Sequence, residues 1–186
     1  MINFLIQNAG WFAYLAALAS VISAAALFIF FARGGIFGPI NDGASSIQML
    51  FLIPVALGEY EILRHSYTSL ALVVALAGII SMISISILQG ATVFRRVRYE
   101  KTLSNVLGMG AVLGGWWLIN GWLSLATEMF PATFSWLGVV CGVSALLLVV
   151  GLKYGGRDHP LAVISFLTNA LSVPIWTFWM GNILRA

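Results

Sequence analysis

The chain of 186 residues is 61% hydrophobic and 8% charged, with a formal net charge of +3. Soluble domains carry about a quarter charged residues, so this composition excludes a water-soluble fold of this length and implies an integral membrane protein. One cysteine, Cys141, excludes an intramolecular disulfide and a cysteine metal cluster, and the small positive excess, concentrated in one loop, points to membrane orientation rather than to nucleic acid.

About 30 Å of hydrocarbon requires roughly 20 apolar residues at 1.5 Å per residue. Windows of that kind predict an all-α bundle, a single transmembrane domain over 1–186 with six spans at 11–32, 44–63, 68–92, 104–127, 133–152 and 161–183. The first span lacks a preceding Lys or Arg and is too long for a signal-peptide core, so it is expected to be retained. Ala16, Ser20 and Ala24 give it a small-residue seam.

In the following loop, GPINDGASS, Asn41 or Asp42 is expected to cap the second span, with Gly43 relaxing the turn. That span contains Pro54 and a polar stripe in which Ser45, Gln48, Leu52, Val55 and Glu59 share one helical face. Its end, GEYEILRHSY, holds two glutamates with different roles. Glu61 and His65 are four residues apart on one side, whereas Glu59 lies about 200° from Glu61 and continues the Gln48 stripe. Glu61, Arg64 and His65 read as a solvated helix end. Glu59 is the functional candidate, because a carboxylate held inside a bilayer costs roughly 2.5–3.5 kcal/mol near the centre unless protonated or paired.

The third span carries a weaker stripe, Gly78, Ser81 and Gln89. After it, FRRVRYEK places Arg95, Arg96, Arg98 and Lys101 together as a cytoplasmic anchor that could also touch anionic headgroups. Gly110 and Gly114 in the fourth span, and Gly138 and Gly142 in the fifth, have the four-residue spacing of close helix contacts. Trp122 fits an interfacial belt; Trp116 and Trp117 lie deeper and point in different directions, so at least one faces protein or a bound lipid or pigment. Asn120 stands alone. Glu128 follows at the same side of the membrane as Glu61 and His65. In GGRDHP, Asp158 is expected to cap the sixth span, with Pro160 in its first turn. Ser165, Asn169, Ser172 and Trp176 then form a polar face, and Pro174 lies mid-span.

Seven Lys and Arg residues fall in the loops after spans one, three and five, against Arg64 and Arg185 on the other side. The positive-inside rule therefore predicts a plasma-membrane protein with both termini extracytoplasmic. Sliding the chain by 121 positions brings GGIFGPI (34–40) over GGRDHPL (155–161) and EILR (61–64) over NILR (182–185), with Pro54 and Pro174 one position out of register. This is either a parallel repeat of hairpins 1–2 and 5–6 or the chance agreement that so biased a composition produces.

No HExxH, GxSxG, P-loop or dinucleotide motif occurs, so no catalytic residue and no metal site is assigned. His65 and His159 fall at opposite faces, excluding bis-histidine haem, and Lys101 and Lys153 sit at span ends, unsuited to a retinal Schiff base. No cofactor is predicted, although a bound lipid or pigment fits the tryptophans. Three functions remain. The first is a non-catalytic component of a homo-oligomer or larger membrane complex, with membrane lipids and other subunits as partners. The second is a small transporter or channel whose path follows Gln48, Glu59, Asn169 and Gln89. The third is a lipid-active enzyme at the outer leaflet drawing acid–base groups from Glu59, Glu61, His65 and Glu128.

Overall fold

The computed structural model describes residues 2–94 and 99–186, and for 99–101 the main chain alone. The predicted anchor therefore lies outside the described residues for Arg95, Arg96 and Arg98, and for the side chain of Lys101. Every regular element described is helical: α1 (Ile2–Gln7), α2 (Ala9–Arg33), α3 (Phe37–Val93), α4 (Tyr99–Thr127), α5 (Ala132–Gly155) and α6 (Pro160–Ile183). Apart from α1, each is long and apolar enough to cross a membrane.

At 57 residues, α3 would extend about 85 Å if straight, far more than one bilayer. It breaks at Tyr67, whose φ of −137° and ψ of 61° leave the helical region. Beyond that residue the chain folds back, because Ser46 Oγ donates to the Ser86 carbonyl at 2.9 Å. Thus α3 is two antiparallel arms, 37–66 and 68–93, and the bundle has six crossing segments. Thr68 Oγ1 donates to the Arg64 carbonyl at 2.7 Å, giving a partner to a main-chain group next to the bend.

Two expected caps are corrected. Asn41 and Asp42 lie inside α3, which begins at Phe37 with Pro39 in its first turn, where a missing N–H does no harm. Asn41 instead accepts from Ser23 Oγ at 2.8 Å and donates to Asp42 Oδ1 at 3.0 Å, so its side chain is engaged with α2. At α6 the cap is His159, whose Nδ1 accepts from the Leu161 N–H at 3.2 Å, while Asp158 is exposed. The helix α1 was not anticipated; its six residues are too short to register in a window sized for a membrane span.

The segments pack in a closed ring: α2 against the α3 hairpin, that hairpin against α4, then α5, then α6, which returns to α2. Small residues make the closure. The buried positions of α2 are Ala9, Gly10, Ala13, Ala16, Ala17, Ala19, Ser20 and Ala26, whereas Leu18, Val21 and Phe28 face outward. With hydrocarbon outside, large side chains lose nothing there, and small ones let backbones approach. At the end that carries both termini, Tyr14 OH donates to Asn182 Oδ1 at 2.7 Å and the Arg185 guanidinium lies 4.1 Å from the centre of the Trp11 ring, joining α2 to the chain after α6.

At the 121-residue offset the two hairpins bury corresponding positions: Ala13 and Phe134, Ala17 and Gly138, Val55 and Trp176, Glu59 and Met180. Their connecting turns also match, with Gly35 at φ 70° and Gly156 at φ 74°, a left-handed conformation that glycine adopts without penalty.

Candidate functional site

Glu59 sits eight residues before the bend, about 12 Å along the helix from it. Leu52 and Val55 precede it on the same buried face, and Gly58 lets this arm press against Ala9 of α2 and Leu184. The outcome is a carboxyl group with 2% of its residue surface exposed. Across the bundle, Asn120 lies seven residues before the end of α4, hence at nearly the same depth. Its Nδ2 donates to Glu59 Oε2 at 2.8 Å, and Ser124 Oγ donates to the Asn120 carbonyl at 2.7 Å. Asn120 is therefore not alone, as its sequence surroundings suggested, but the partner of Glu59.

No cationic side chain among the described residues bonds Glu59. Arg64, the nearest in sequence, pairs with Glu61 at 2.7 Å and stacks near the Tyr60 ring. The other charged groups at this end, His65, Glu128 and Arg185, form no ion pair with Glu59 either. A carboxyl group held by one neutral amide in hydrocarbon can neutralise its charge only by taking up a proton or a cation.

One turn deeper on α4, Trp116 and Trp117 close the middle of the bundle. Trp116 meets Trp117 at 5.6 Å between ring centres and Trp176 at 5.7 Å; Trp176 in turn stacks on Phe134 at 5.6 Å. Edge-to-face and stacked pairs of this kind contribute about 0.5–1.5 kcal/mol each beyond their buried area. Glycine makes the room: a Cβ on Gly78 would stand 2.5 Å from the Trp116 ring, and one on Gly138 would stand 3.2 Å from Trp176 Nε1. Both deep tryptophans thus face protein, and their neighbours are the bundle's own rings.

The four residues expected to line one path are not gathered. Gln48 is buried on the Glu59 stripe but lies eleven residues away, about 16 Å along the helix. Asn169 donates to its own helix, to the Ser165 carbonyl at 3.2 Å. Gln89 lies near the far end, half-buried, with Oε1 enclosed and unpartnered. The cluster expected at the membrane surface is also dispersed. Glu61 and Arg64 pair and border an open depression with Asn3, Ile6 and Gln7, whereas His65 and Glu128 are exposed and form no ion pair with either.

The glycine seams meet each other between α4 and α5. A Cβ on Gly114 would press on Ala145 and the Gly142 carbonyl, and one on Gly142 on the main chain of Leu118; Gly110 stands more loosely against Val149. Gly121, which the four-residue spacing did not select, is packed as tightly against Val139 and Ser135. Among the described residues no group of three His, Cys, Asp or Glu side chains is placed to hold a metal.

Comparison with protein-family models, curated proteins and solved structures gave no match.

Proposed function

We propose that this multi-pass membrane protein is a small ion-coupled transporter, with the Glu59–Asn120 pair binding a proton or a monovalent cation. One observation carries the reading: Glu59 is buried in the bundle and its hydrogen-bond partner is a neutral amide from a facing helix. Ionisable groups inside a membrane are expensive, and ion pathways and proton relays are where they recur. The excess of Lys and Arg in the loops after the first, third and fifth spans supports an orientation with the termini, and with them the nearer entrance to Glu59, on the extracytoplasmic side.

Assembly with other subunits has less support, since the predicted seam glycines of α4 and α5 are occupied with one another. Lipid binding fits as a secondary property. A depression at the opposite end sets Arg33 beside Phe28 and Phe37, a basic group for a headgroup next to rings for an acyl chain.

The test is flux into proteoliposomes under an imposed pH or cation gradient. Glu59→Gln keeps the shape and the amide contact but removes the charge, and flux is expected to fall to that of protein-free vesicles. Glu61→Gln, at the exposed helix end, is expected to retain it. Equal behaviour of the two variants would rule out Glu59 as the ion site.

A further inference from the structure

Resting on the transporter reading above, we propose that the coupling ion is a proton and that it travels from Glu59 along internal water held between the second arm of α3 and α4. The warrant is a set of buried polar atoms with no partner: Trp116 Nε1, Trp117 Nε1, Ser81 Oγ and Gln89 Oε1. Buried donors and acceptors are nearly always satisfied, and when protein supplies no partner, water does. Another atom of this kind, Ser172 Oγ, faces the Cys141 thiol between α5 and α6 and belongs elsewhere.

Trp116 Nε1, Ser81 Oγ and Gln89 Oε1 are ordered along the membrane normal. Counting from the Tyr67 bend at 1.5 Å per residue, Glu59 and its amide lie about 12 Å deep, Gly78 with the Trp116 ring against it about 16 Å, Ser81 about 21 Å and Gln89 about 33 Å. Between the last two depths, Ser46 Oγ and Ser86 Oγ stand 3.0 Å apart where the two arms of α3 meet, about 28–32 Å deep and beside the route. Gly78, Ser81 and Gln89 share the inward face of their arm. Successive depths differ by about 4–7 Å, a spacing that one or two waters span.

The tryptophans explain why a proton and not a larger ion would pass. Trp116, Trp117 and Trp176 fill the centre of the bundle, so a hydrated cation meets rings, whereas a proton needs only hydrogen-bonded neighbours. At each step a water takes one proton and releases another, and the chain is left unchanged. Facing the route, Asn120 is neutral, and the charged groups at its outer end, Glu61, Arg64, His65, Glu128 and Arg185, do not bond Glu59.

Two measurements on the reconstituted protein decide the matter. In the first, proton influx is followed with a trapped pH dye, and Ser81→Ala is expected to lose it while remaining folded by circular dichroism. In the second, a Cys141→Ala background carries either Ser81→Cys or Ile80→Cys, and a small water-soluble thiol reagent is added. Ser81→Cys is expected to react, and Ile80→Cys, which points into lipid, is not. Full influx in Ser81→Ala, or a Ser81→Cys thiol no more reactive than Ile80→Cys, overturns the route; if Glu59→Gln still abolishes flux, the ion site survives that loss. Absence of proton influx in the unmodified protein overturns the proton and its route, and only the further absence of flux under a cation gradient overturns the ion site.

Discussion

Asn120→Leu is expected to destabilise the bundle by about 2–3 kcal/mol, because it strips the buried Glu59 carboxyl of its hydrogen-bonded partner. Leaving one member of a buried polar pair unsatisfied costs more than the pair itself contributes, and replacing both by apolar groups of similar shape restores most of the loss. The matching position in the second hairpin suggests the replacement, since Met180 is fully buried where Glu59 stands in the first. The double variant Glu59→Met with Asn120→Leu should therefore regain the stability lost by Asn120→Leu alone, measured by reversible unfolding in mixed micelles. It should also transport nothing. Recovery of stability together with wild-type flux would show that the pair only holds helices together.

The second large effect concerns the α4–α5 contact. Gly142→Ala is expected to cost about 1–3 kcal/mol, since the new Cβ would overlap the Leu118 main chain and lie 2.7 Å from the Gly114 carbonyl, atoms that cannot turn aside. Gly115→Ala gives the contrast. Nothing lies within 4 Å of a Cβ there, so the same change should stabilise by roughly 0.5–1 kcal/mol through helix propensity. Both glycines occupy long apolar helices, and unfolding of the two variants under identical conditions separates packing from propensity. A loss of equal size in both would mean that the seam is not a close contact.

The crossing segments were legible because uncharged runs of about 20 residues have no other stable use. Small residues at four-residue spacing likewise showed where α4 and α5 carry close faces. What escaped was whatever depends on how helices are rotated and stacked. Asn120 and Glu59 are 61 positions apart, and only the ring order brings them to one depth. Asn41 looked like a cap from its neighbours, but Ser23 of another helix claims its side chain. The polar face of α6 looked like part of a path, although Asn169 turns to its own main chain. Among these, Glu59 was identifiable in advance, because it continues the Gln48 stripe into the span instead of joining the exposed side of Glu61.

The bend at Tyr67 bears on how the protein enters its membrane. Only that residue in α3 departs from helical geometry, so no extended hydrophilic loop separates the two arms. During synthesis the arms can leave the insertion machinery together as one helical hairpin, with hydroxyl groups already bonded across it at Ser46 and Ser86. The tip between the arms is short and polar, Arg64 to Thr68. Ser46 and Ser86 thus find each other within α3 itself, and Gly78 on the same hairpin supplies the surface against which Trp116 of α4 packs.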